Sequence, residues 1–105
     1  MKALGFVEVS GVVAAVEALD SMLKTADVEF VTWEKRLGGR LVTIVVTGSI
    51  SAVQAAVESG TARANAITKT VAQAVIANPH EEIVKLLEVS AKKLNLWKSG
   101  ELSGF

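Results

Sequence analysis

The segment "EKRLGGRLVTIVV", from Glu34 to Val46, sets two arginines, Arg36 and Arg40, around Leu37, Gly38 and Gly39. A tight turn between two strands uses the glycines, but it has no need of the arginines. The glycines do not form a phosphate-binding loop. They join two strands, and the Lys-Ser/Thr pair that would hold phosphate and metal is missing. The other reactive groups are scattered. His80 is the one histidine, and it stands at a helix start, where a polar first-turn residue is the expected role and a catalytic base is not. Glu8, Glu17 and Asp20 lack a paired acid. Glu17 and Asp20 lie three apart on one helix and are expected to be solvated or hydrogen-bonded to backbone. Lys24 ends that helix and suits its C-terminal dipole. Trp33 is expected to pack on a sheet face or a neighbour. No nucleophile–base–orienter set can be assembled, which argues against an enzyme, and no cofactor is expected.

Composition narrows the classes further. The 105 residues suit one domain. Half are hydrophobic, but no run approaches the ~18 apolar residues of a membrane helix. Glu8 interrupts the opening "MKALGFVEV", so it does not read as a secretion signal. With no cysteine there is neither a disulfide framework nor a thiolate metal site, and the chain reads as intracellular. A formal net charge of zero argues against a bulk basic nucleic-acid binder and does not oppose self-association.

The elements that must position these residues follow from periodicity. Residues 3–9 read as a strand. "SGVVAAVEALDSMLKTA" reads as an amphipathic helix with Val12, Val16, Leu19 and Leu23 in its apolar stripe, widened by Val13, Ala15 and Met22, and with Ser10 as its N-cap. Residues 28–35 and 40–46 read as a hairpin. "GSISAVQAAVESGTARANA" reads as a second helix, capped by Ser49 or Ser51, with Val53, Ala56, Val57, Gly60 and Ala64 facing inward. Residues 70–77 read as a fourth strand. In "NPHEEIVKLLEVSAKKL", Asn78 is the expected cap, Pro79 the first helical residue, and Glu81 completes a capping-box spacing. The order is βαββαβ with a C-terminal helix, a ferredoxin-like α+β fold with a four-stranded antiparallel sheet, two helices on one face and the last helix added. Residues 1–94 form the expected domain and 95–105 a tail that the domain can lose.

Taken together, the Gly-x-x-Glu of the first strand, Glu17-Ala-x-Asp20, Met22-x-Lys24, the Glu34-Lys35 hairpin entry and Pro79-His80 resemble the single-domain, hexamer-forming shell proteins of bacterial microcompartments. The resemblance spans about residues 3–88. It implies a flat cyclic hexamer that tiles with copies and with other shell proteins around encapsulated enzymes, without nucleic acid or membrane partners, and with a central pore for small metabolites. It implies further that Lys24, Asn78, Pro79 and His80 lie at the hexamer edge and that Leu37, Gly38, Gly39 and Arg40 line the pore. The family usually has Arg where this chain has Asn78, and its pore loop is one residue shorter. In such a ring, glycines widen the opening, and arginines from each copy form a positive ring that favours anions. A different class of function on this fold is a small-molecule-binding regulatory domain.

Overall fold

The computed structural model describes residues 2–35 and 40–98, with nothing said of the side chains of 96–98. The elements run β1 (Ala3–Ser10), α1 (Val12–Thr25), β2 (Glu29–Lys35), β3 (Leu41–Gly48), α2 (Ile50–Asn65), β4 (Thr70–Ala77) and α3 (Glu81–Lys98). The sheet order is β2-β3-β1-β4, antiparallel throughout, as the ferredoxin-like reading requires. The strand over 70–77 and the hairpin pairing of β2 with β3 are found as expected. The helix α3 continues past residue 94 to Lys98.

Side chains alternate across the sheet, so each strand feeds two layers. Val7 and Val9 of β1 and Val42, Ile44 and Val46 of β3 join the core under α1 and α2. Leu4 and Val45 point the other way and pack on Leu87 of α3. The sheet is therefore covered on both faces, by two helices on one and by α3 on the other. In β2 the alternation is broken by a register shift between Phe30 and Thr32. The extra residue, Val31, lets Phe30 and Trp33 face the main core while Val31 packs with the α3 layer.

The inner face of α2 is the one expected: Val53, Ala56, Val57, Gly60 and Ala64 are all buried, and Ser49 caps the helix by accepting the Ala52 amide. The face of α1 is so only in part. Its buried residues are Ala14, Ala15, Ala18 and Met22, so Ala15 and Met22 of the expected stripe are buried and Leu19 packs against the core, while Val12, Val13, Val16 and Leu23 are exposed. The cause is the short distance between α1 and α2. A methyl group added at Gly60 would stand 2.6 Å from Cγ of Met22, so only small side chains and Met22 fit between the helices. The N-cap also differs from the expectation. Ser10 stays in β1, paired with Leu41, and Gly11 makes the turn with φ +101°, a conformation that glycine adopts without strain.

Gly5 is the tightest point between sheet and helix. An added Cβ would lie 2.7 Å from Val57 and 2.8 Å from Val53, both stiff β-branched side chains. Gly5→Ala is expected to lower stability by about 1–3 kcal/mol through overpacking. Denaturant unfolding should show a lower midpoint with an unchanged slope.

Candidate functional site

The strands run between two distinct ends. At one end, Ala3 pairs with both Gly48 and Ala77, Glu29 pairs with Thr47, and the Asn78 amide donates to the Lys2 carbonyl at 3.1 Å. Here α1 ends, with Lys24 in its last turn, and α3 begins after His80. At the other end, Ser10 pairs with Leu41, and the Gly11 amide donates to the Arg40 carbonyl at 2.6 Å. Thus Lys24, Asn78, Pro79 and His80 gather at one end of the sheet and Arg40 lies at the other, roughly 25 Å away for strands of this length. Arg40 is exposed. Leu37, Gly38 and Gly39, like Arg36, lie outside the described residues.

The turn into α3 differs from the expected capping box. Asn78 takes φ +51°, the left-handed region that asparagine tolerates, and turns the chain. The cap falls two residues later. The His80 carbonyl accepts from the Ile83 and Val84 amides at 3.0 and 3.3 Å, and its Nδ1 accepts from the Glu82 amide at 3.1 Å. Pro79 accordingly precedes the helix instead of opening it. Glu81 and Glu82 occupy the first turn, where the helix dipole favours carboxylates.

Neither carboxylate of α1 is idle. Glu17 receives two hydrogen bonds from Arg63 of α2, from Nε at 3.1 Å and from Nη2 at 2.9 Å, a fork that ties the two helices together. Asp20 pairs with Lys24 one turn on, at 2.9 Å. That hydrogen bond, and then the charge of the same carboxylate, hold the Lys24 ammonium above the ordinary lysine value of 10.5. On the α3 face a short relay crosses the layers. Buried Thr32 lies 2.8 Å from the Ser90 hydroxyl, which donates to the Glu34 carboxylate. In the next strand Thr43 donates to Glu8 at 3.1 Å. Trp33 packs on the main core as a sheet-face residue, and its Nε1 is buried without a partner in the single chain.

An open groove of about 550 Å³ runs between α2 and the edge strand β4, lined by Gln54, Glu58, Thr61 and Gln73 among others. Glu58 is its only ionisable lining group, so it offers no acid–base pair. Among the described residues no group of three or more His, Asp or Glu could hold a metal, and no helix is long and apolar enough to cross a membrane. Periodicity missed the outer stripe of α1, where Val13 is 72% and Val16 50% exposed. The signal was present, since α1 carries two apolar stripes and one core can take only one of them.

A four-stranded antiparallel sheet of this order, with a helix pair on one face and a third helix on the other, defines an α+β domain. The BMC domain model matches residues 3–79, and the chain belongs to that family, the shell proteins of bacterial microcompartments. The chain is 44% identical over 86 residues to the bacterial microcompartment shell protein PduA of Salmonella typhimurium, covering 82% of this chain and 90% of the relative. It is 39% identical over 92 residues to the bacterial microcompartment shell protein EutM of Escherichia coli, covering 88% and 94%. It is 42% identical over 89 residues to the carboxysome shell protein CcmK2 of Synechocystis, covering 83% and 85%. A crystal structure of a microcompartment protein from Desulfitobacterium hafniense shares the fold, with a TM-score of 0.74 at 24% identity. It covers 86% of this chain, which in turn spans 48% of that longer one. The chain is thus a structural component of a microcompartment shell.

The Asp20–Lys24 pair is open to direct test. Because the Lys24 value is raised, the lysine's contribution to the pair is constant through neutral pH and is lost as pH climbs through the raised value. Asp20→Asn should bring the Lys24 titration back toward the ordinary lysine value, read from the ε-methylene shifts by NMR.

Proposed function

We propose that the chain is a tile: six copies close into a flat ring, rings meet edge to edge with one another and with other shell proteins around encapsulated enzymes, and a pore on the sixfold axis passes small metabolites. The separation of the two residue sets carries this reading. A tile needs its pore and its rim at opposite ends of each subunit, and Arg40 lies at the end opposite Lys24, Asn78, Pro79 and His80. The uncovered apolar surface supports the ring. Val12, Val13, Val16 and Leu23 on α1 are exposed, and so are Val71 and Ile76 on β4, a sheet edge without charged residues of the kind that pairs or is covered in assemblies. A closed ring buries such surface in every copy and leaves none at a free end. The protein acts as a barrier and has no catalytic role.

Native mass spectrometry at micromolar concentration is expected to show a dominant species of about 66 kDa, six times the 11.0 kDa chain. A stable monomer overturns the ring. A dimer would favour the other reading, a regulatory domain that binds a small molecule, with the α2–β4 groove as its pocket. At the rim, Lys24→Asp sets like charges beside Asp20 and removes a donor to the neighbouring tile. Electron microscopy should then find rings without sheets.

In the pore as proposed, Leu37 is among the lining residues, Gly38 and Gly39 form the narrowest ring, and Arg40 supplies the positive charge near it. Arg40→Glu should reverse the preference of a reconstituted layer from anionic to cationic solutes, as charged rings do in channels. Unchanged flux of both removes Arg40 from the pore.

A further inference from the structure

We propose that His80 is a pH-sensitive cap: its neutral imidazole holds the first turn of α3, and protonation releases that turn and with it the rim end of the tile. The statement about the rim rests on the edge assignment above. The cap itself stands on geometry. Nδ1 accepts the Glu82 amide proton at 3.1 Å, and an acceptor nitrogen must carry a lone pair. An imidazolium has hydrogens on both nitrogens, so the same contact would set two donors against each other. The usual capping residues, Ser, Thr, Asp and Asn, keep their acceptor oxygen through the neutral range, whereas histidine changes state within it.

The surroundings give the turn no ready substitute. Asn78 is committed to the left-handed turn, and its amide is bonded to the Lys2 carbonyl of β1. Pro79 has no amide hydrogen and a fixed φ. Sliding another residue into the cap position would break the bond to Lys2. The charged groups at this end of the sheet are Glu81, Glu82 and Lys85 on α3, Lys2 next to β1, Lys24 in the last turn of α1, Asp27 in the link that follows it and Glu29 at the near end of β2. Lys85 pairs loosely with Glu82 at 3.7 Å. The glutamates attract an imidazolium and the positive helix end repels it, so the deciding change is the lost acceptor. His80 is exposed in the single chain, within reach of solvent protons.

Hydrogen exchange on the assembled full chain tests the cap, with protection corrected for the intrinsic pH dependence of exchange. Between about pH 8 and about pH 5, on either side of the ordinary histidine range, protection of the amides of residues 82–84 should fall roughly fivefold, the ratio set by a cap worth about 1 kcal/mol. His80→Asn, a cap that does not titrate, should keep its protection at both values. Equal protection of the wild type at both values overturns the proposal. So does an equal loss in His80→Asn, which would assign the effect to neighbouring carboxylates. Sheet formation followed by electron microscopy in the same buffers reads the rim: the wild type should lose sheets on acidification and His80→Asn should keep them. If protection changes as expected while sheets form equally in all conditions, the cap stands and the edge assignment of His80 falls.

Discussion

The structure depends on how closely α2 lies to its neighbours. Beneath it, Gly5 leaves no room for a single methyl group against Val53 and Val57, and beside it Gly60 seats Met22 of α1. Ala56 and Ala64 keep the rest of that surface low. Interiors packed to crystal-like density respond to added volume by moving whole elements. The position of α2 therefore sets the position of α1, and both are set by residues whose contribution is the volume they lack.

From this approach follows the outward character of α1. A helix held this near to a partner can bury only its small residues, so Ala14, Ala15 and Ala18 turn in and the valines turn out. The Glu17–Arg63 fork holds the same pair in register at the surface. The greasy exposed stripe is then a consequence of tight internal packing. Small domains bury a smaller share of their apolar surface alone, and association would cover this stripe.

Much of this was legible from residue patterns. The strand over 70–77, the inner face of α2 and its Ser49 cap follow from period and capping chemistry, because a helix with one apolar stripe has one way to face the core. The family followed from a set of short motifs that no single spacing rule explains. The phase of α1 was not legible, because two adjacent apolar stripes compete and the choice is made by a glycine in another helix, Gly60. The caps at Gly11 and His80 escaped for a related reason: a strand pairing one residue longer and an asparagine turning left-handed moved each cap beyond the residue with the best propensity. The relay from Thr32 through Ser90 to Glu34 joins residues 58 and 56 positions apart, and local patterns carry no trace of it.

The extra residue in β2 has a consequence for how this chain is compared with its relatives. Up to Phe30 the strand keeps one parity, and beyond Val31 it keeps the opposite one. Trp33 and Glu34 owe their sides of the sheet to that count, and so does the sense in which the chain enters the hairpin. A homologue could match every residue from 32 to 35 and, lacking the insertion, display them as a mirror-ordered surface, with the carboxylate where this protein has its indole. Identity along this strand is thus a two-valued code, read correctly only when the bulge is counted with the letters.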